Sequence, residues 1–135
     1  MASPIFKFRQ KPAGMVKLMK KKTTDRLDYA LAFKALSNEN RLKVFQIIRK
    51  GHVHSADCCY PNRPDDIPEE SVCVCEILEK MDISAPTLSH HLKELRYAGL
   101  VDVLNRGQWS YYTVSRGVLE NLAGFFAEVQ SAAKR

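Results

Sequence analysis

The chain lacks several things at once. No apolar run approaches the roughly 20 residues that a membrane span needs. Its start carries no apolar leader core, because Lys7, Arg9, Lys11 and Lys17 interrupt it. A cytoplasmic protein without membrane contact is therefore expected. There is no Cys-x-x-Cys motif and no glycine-rich phosphate or cofactor loop, which argues against a thiol reductase or a nucleotide-using enzyme. At 135 residues there is no room for separate cofactor and substrate domains. No internal repeat is found. Disorder of the whole chain is excluded by 45% hydrophobic residues against 27% charged, enough for one core.

Acidic residues are missing from residues 1–22, which hold seven basic ones, Lys7, Arg9, Lys11, Lys17, Lys20, Lys21 and Lys22. The formal net charge of +6 therefore sits in an N-terminal arm. Such an arm suits contact with phosphates or an acidic partner, or is simply a solvated tail. The expected division is an arm over 1–22, a folded domain over 23–135 and, within it, a cysteine-containing loop over 51–72.

Within the domain the periodicity is mostly helical. A helix is expected from near Thr24, with Leu27, Ala30, Leu31 and Phe33 to Leu36 on a broad buried face. Ser37-Asn38-Glu39-Asn40 stops it and caps a second helix, whose apolar stripe is Leu42, Phe45, Ile47 and Ile48 and which ends at Gly51. Three prolines and five acids then make residues 51–71 a long loop, and loops of that length are usually functional. Regular structure resumes at Val72, where Val74, Ile77, Leu78 and Met81 predict a helix of about two and a half turns. After a tight turn, Ser84 caps a longer helix with Pro86 in its first turn and Leu88, Leu92 and Leu95 as its buried stripe.

A short helix, a tight turn and a capped longer helix make a helix-turn-helix. Two alternating segments follow, from Val101 and from Trp109, around Asn105-Arg106-Gly107, and read as a β-hairpin. A hairpin directly after a recognition-type helix is a wing. The fold class expected is mainly α with a β-hairpin wing: a dimeric winged helix-turn-helix. The last helix, with Val118, Leu119, Leu122, Phe125, Phe126 and Val129, is more apolar than so small a body needs, which favours dimerisation over simple packing.

Two sets of side chains carry chemistry. The exposed face of the helix at 84–98 offers Ser84, Thr87, Ser89, His90 and Lys93, and the hairpin tip offers Arg106 and Gln108. Hydroxyls and imidazole near a helix N-terminus can bond base edges or phosphate oxygens in the major groove, and the tip can reach the minor groove or the backbone. His91, beside Leu92 and Leu95, reads as structural. The second set is Cys58, Cys59, Cys73 and Cys75. Paired cysteines in a cytosolic chain suggest ligation or redox chemistry more than a disulfide framework. Residues i and i+2 of a helix diverge, so Cys73 and Cys75 can share one ion only if their turn is distorted or lies outside the helix. Three sulfurs suit trivalent arsenic or antimony; four suit cadmium, lead or zinc. His52 and His54 would favour zinc, or are solvated loop residues.

Residues 25–130 resemble the ArsR/SmtB family of winged-helix repressors that respond to arsenic and metals. The resemblance is carried by Leu36-Ser37-Asn38-Glu39-Asn40-Arg41-Leu42, by Val72-Cys73-Val74-Cys75-Glu76-Ile77, by Ser84 to Leu95, by Ala98-Gly99-Leu100-Val101 and by Arg106 to Tyr112. It implies a transcriptional repressor, not an enzyme, that binds operator DNA as a homodimer through its first and last helices. It also implies release from DNA when an inducer binds, and places Cys73 and Cys75 at the family's metal box. The family's other common site, Asp/His pairs on the last helix, is excluded because no histidine follows His91.

Two departures matter. Leu78 stands where arsenic-responsive members carry a third cysteine, and the longer loop supplies Cys58 and Cys59 instead. The arm has no cysteine of the kind that cadmium- and lead-responsive relatives recruit. The inducer expected is therefore As(III) or Sb(III), held by Cys73 and Cys75 with Cys58 or Cys59 or both. The alternatives are a Cd(II)-, Pb(II)- or Zn(II)-responsive repressor and a thiol-disulfide redox sensor of the same fold. A constitutive DNA-binding module with a structural zinc is a further rival.

Overall fold

In the computed structural model, residues 27–51 and 63–133 are described. The arm, Cys58, Cys59, His52 and His54 lie outside them. Among the described residues, five helices and three strands follow in the order α1 (Tyr29–Leu36), α2 (Glu39–Lys50), β1 (Val72–Cys73), α3 (Val74–Glu79), α4 (Ala85–Tyr97), β2 (Val101–Arg106), β3 (Trp109–Val114) and α5 (Val118–Ala133).

Three of the helix starts have a local cause. The Asp28 carboxylate accepts from the Leu31 N–H, the Asn38 side chain from the Arg41 N–H, and the Ser84 hydroxyl from the Thr87 N–H. These bonds satisfy donors that have no partner inside the helix. Among the described residues the first helix starts at Tyr29, behind the Asp28 cap; the start expected near Thr24 lies outside them. Gly51 ends α2 at φ 87°, a conformation that suits glycine, and a Cβ there would sit 3.5 Å from the Glu70 carbonyl oxygen. The end of α2 is thereby held against the chain just before β1.

The expected helix from Val72 is shorter than its pattern suggested. Val72 and Cys73 form a strand instead, and α3 has only six residues. The reason is tertiary: the free edge of β3 pairs with them, Val72 opposite Tyr112 and Cys73 opposite Tyr111. The wing is thus a three-stranded antiparallel sheet in the order β1-β3-β2. Its turn also differs from expectation. Arg106 pairs with Trp109, so Gly107 and Gln108 form the two-residue loop. Gly107 has φ 60° and, among the described residues, no non-glycine residue has positive φ, the pattern of a type II′ hairpin turn.

Register sorts the sheet into two faces. Val72, Tyr112 and Val103 form one row across it, and Cys73, Tyr111 and Leu104 the next. Because side chains alternate, the first row joins the main core and the second points away from it. That core contains Ala32 and Ala35 of α1, Val44, Phe45 and Ile48 of α2, Ile77 of α3, and Leu88, Leu92 and Leu95 of α4. The second row builds a smaller cluster of Ile67, Cys73 and Tyr111, with Cys75, Leu104 and Trp109 against it. Leu42, expected in the buried stripe of α2, is exposed instead. No helix among the described residues is long and apolar enough to cross a membrane.

Candidate DNA-reading face and thiol site

Helix α4 is divided cleanly. Leu88, His91, Leu92 and Leu95 are buried, while Ser84, Thr87, Ser89, His90 and Lys93 are all exposed. Ser84 does two jobs at the helix start, capping the Thr87 N–H at 3.3 Å and donating to the Thr87 hydroxyl at 2.9 Å. His91 has a buried Nδ1 with no hydrogen-bond partner. Burial, and then the charges of Arg41 and His90, push its pKa below the ordinary 6.5. It is a core residue, not a base-reading one.

The thiols sit where the strand becomes a helix. Cys73 is the last residue of β1 and the N-cap of α3, with extended φ −73° and ψ 146°. Cys75 is in the first turn. This break brings the two Sγ atoms to 3.0 Å despite their i, i+2 spacing. Cys73 is fully buried and free, whereas Cys75 is disulfide-bonded. Once reduced, the pair can chelate one ion. With metal–sulfur bonds of about 2.3 Å, a tetrahedral site spaces its sulfurs by about 3.8 Å, less than 1 Å of opening away. Among the described residues no group of three His, Cys, Asp or Glu side chains could hold a metal. A third donor has to come from elsewhere. Glu76, next in the chain, is fully buried and lies 3.6 Å from Lys80.

The two sets of residues share one cleft. It has a volume of about 470 Å³ and is lined by Cys73 and Cys75, by Ser89, Lys93 and Arg96 of α4, and by Gln108 and Trp109 of the wing. Arg96 was missed in the sequence. Its signal was spacing, since it follows Ser89 by seven and Lys93 by three and so lies on their helix face. Arg106, at the end of β2, is engaged by Asp66, with Nε and Nη2 at 3.0 and 2.9 Å from one carboxylate oxygen. Gln108 is exposed at the turn.

Residues 68–103, from just before β1 into β2, match the family model described as "Bacterial regulatory protein, arsR family". The chain is 34% identical to the HTH-type transcriptional regulator YbzH of Bacillus subtilis, over 69% of this chain and 89% of that one. The chain belongs to the ArsR family. It is 36% identical to the cadmium resistance transcriptional regulatory protein CadC of Listeria innocua, over 67% of this chain and 60% of that one. It is 29% identical to an arsenic resistance transcriptional regulator of Pseudomonas putida, over 61% of this chain and 50% of that one. The chain thus spans about half to three-fifths of these two metal-linked relatives. Among solved structures, a crystallised ArsR family regulator superposes with TM-score 0.57 at 15% identity, over 78% of this chain and 90% of that one. The homodimeric winged helix-turn-helix DNA-binding domain of a possible ArsR-family regulator from Mycobacterium bovis superposes with TM-score 0.50 at 25% identity, over 78% of each chain. Fold and relatives are those of DNA-binding transcriptional regulators, not enzymes.

Proposed function

We propose that this ArsR-family regulator is a homodimeric repressor that holds double-stranded operator DNA and releases it when arsenite or antimonite binds its cysteines. Cys73 and Cys75 supply two thiolates, and Cys58 or Cys59, or both, supply the rest. Ser84, Thr87, Ser89, His90 and Lys93 face the major groove, Arg106 and Gln108 the adjacent groove or backbone, and the arm over 1–22 adds phosphate contacts from the cytoplasmic protein.

The observation that carries this reading is the single cleft joining the sulfur pair to Ser89, Lys93 and Gln108. A ligand held by the sulfurs occupies space beside groups that must reach DNA, so the two binding events oppose each other. By linkage, DNA must weaken ligand binding by the same factor. Moving the operator from nearly full to nearly empty takes about 5.5 kcal/mol across the dimer.

The charges of the cleft favour the arsenic reading over cadmium, lead or zinc. Lys93 and Arg96 line it beside the thiols. Trivalent arsenic in water is an uncharged hydroxide at neutral pH, so these cations do not oppose its entry. A divalent cation is repelled by both.

Dimer formation is supported by the outer face of α1 and α5. Tyr29 and Phe125 lie with ring centroids 4.7 Å apart, and Phe33 contacts Phe125 and Phe126 at 5.5 and 5.8 Å. Leu119, Phe126 and Val129 remain exposed beside this cluster. So large an apolar strip is the mark of an interface.

Fluorescence anisotropy of reduced protein on its own upstream DNA, titrated with arsenite, tests the proposal. Release at about one to two arsenite per dimer is expected. Binding unmoved by arsenite but released by cadmium, lead or zinc would replace the inducer. One observation favours a second reading, a redox sensor: Cys75 is disulfide-bonded while Cys73 is free beside it. Release by mild oxidant alone, with a disulfide seen by mass spectrometry, would establish that reading in place of the first.

A further inference from the structure

The last part of the loop before β1, from Arg63 to Ser71, ties the thiol site to the wing. Arg63 donates through Nη2 to the carbonyls of Pro68 and Ser71 at 2.8 and 2.9 Å, and its guanidinium lies 5.2 Å from the Tyr111 ring centroid. Ile67 is buried against Cys73 and Tyr111. The segment is therefore folded back and docked on the outer face of the sheet. This docking sets Asp66 against Arg106, 40 residues away in the chain. The Nε hydrogen bond and the Nη2 ion-pair contact fall on a single oxygen, Oδ2. A carboxylate in this place offers Arg106 what a DNA phosphate would offer: a localised negative charge and acceptor oxygens for its guanidinium.

We infer that Asp66 is a positioning residue that competes with DNA phosphate for Arg106, so that the docked segment holds down the wing's affinity for DNA. Arg106 already bears a counter-charge in the free protein. When the wing meets DNA, the guanidinium must exchange one anion for another and gains little. With Asp66 neutralised, that carboxylate no longer competes for the guanidinium, and contact with the phosphate displaces a DNA counterion at less cost. Ile67 adjoins Asp66 and packs on Cys73, so the competitor and a contact of the thiol site are neighbours in one docked segment.

The inference rests on the reading of the wing as a DNA contact. The test measures DNA affinity of the reduced full-length protein against salt concentration, without any thiol ligand. Wild type, Asp66→Asn, Arg106→Gln and the double variant are compared, with Asp65→Asn as a control for simple removal of a nearby acid. Asp66→Asn is expected to tighten binding by about two- to fivefold, the range of an exposed ion pair. It should also steepen the slope of log K against log salt by about one unit. In the Arg106→Gln background the Asp66 change should then do nothing. Weaker binding by Asp66→Asn overturns the inference, as does an unchanged slope. An equal gain in the Arg106→Gln background, or from Asp65→Asn, also overturns it, because the effect would then be general charge. Arg106→Gln with wild-type affinity and slope would instead remove Arg106 from the DNA contact. Circular dichroism and thermal unfolding of each variant separate these outcomes from loss of fold.

Discussion

The Sγ atoms of Cys73 and Cys75 lie 3.0 Å apart although the residues are two positions apart at a helix start. On an uninterrupted helix their side chains would diverge. They converge because Cys73 is still extended, paired with Tyr111 across the sheet, and the helix begins only at Val74. The strand edge of the wing thus shapes the thiol pair, and the same sheet carries the Gly107-Gln108 turn at the wing's tip. A change at the sulfurs acts on a residue that is hydrogen-bonded into the wing.

Serine at either position should separate sensing from DNA binding. Cys73→Ser and Cys75→Ser are expected to bind operator within about threefold of wild type, since neither side chain lies on the exposed face of α4. Arsenite should no longer release them, because removing one sulfur breaks the Cys73–Cys75 pair and leaves the ion short of a thiolate. Anisotropy titrations with and without arsenite check both halves. Normal release by either variant would place the ligand elsewhere.

The helix-turn-helix was legible because its signals are local. The Ser84 cap, Pro86 in the first turn and the Leu88, Leu92 and Leu95 stripe each act within one helix. The missed features depend on pairing across the chain. Nothing near Val72 announces that it will lie opposite Tyr112, and a two-residue strand is too short for its own period. Arg106 carried the composition of a wing tip, but its partner Asp66 comes from a loop whose path sequence alone does not trace. Leu42 fitted the helical stripe of α2 and is exposed because that stripe is wider than the face the core covers.

His91 gives the domain an acid-sensitive component of stability. Its folded pKa is held below 6.5, first by burial and then by Arg41 and His90. The unfolded chain therefore takes up this proton first as pH falls. Stability from the neutral imidazole is complete above about pH 6.5 and is lost as pH drops from there toward the folded pKa. Urea unfolding at pH 7.5 and pH 5 should show a smaller loss for His91→Gln than for wild type. Equal losses would mean that other groups carry the whole pH dependence.

A charge on the apolar strip should divide the dimer without unfolding the protomer. Phe126 is 55% exposed in the single chain, yet touches Phe33 and Phe125. Phe126→Glu leaves the buried core intact, so far-ultraviolet circular dichroism should be unchanged. Sedimentation at micromolar concentration should move from dimer to monomer. Operator affinity should fall by more than tenfold, because each protomer then reads one half-site alone. A variant that stays dimeric would move the interface away from this strip.

Ser84 allows the structural and DNA-facing roles of one residue to be told apart. Its hydroxyl caps α4 by accepting from the Thr87 N–H, so Ser84→Ala should cost about 1 kcal/mol in urea unfolding. Aspartate is an equally good cap, and Ser84→Asp should therefore retain stability. It also places a negative charge at the helix end that, on the proposed reading, approaches the phosphates. Operator binding by Ser84→Asp should weaken by about tenfold or more while its unfolding midpoint stays near wild type. The alanine variant should show the reverse balance, a lower midpoint with a smaller loss of affinity. If the aspartate variant binds DNA as wild type does, the start of α4 does not face the DNA, and the groove is read by the later residues Ser89, His90 and Lys93.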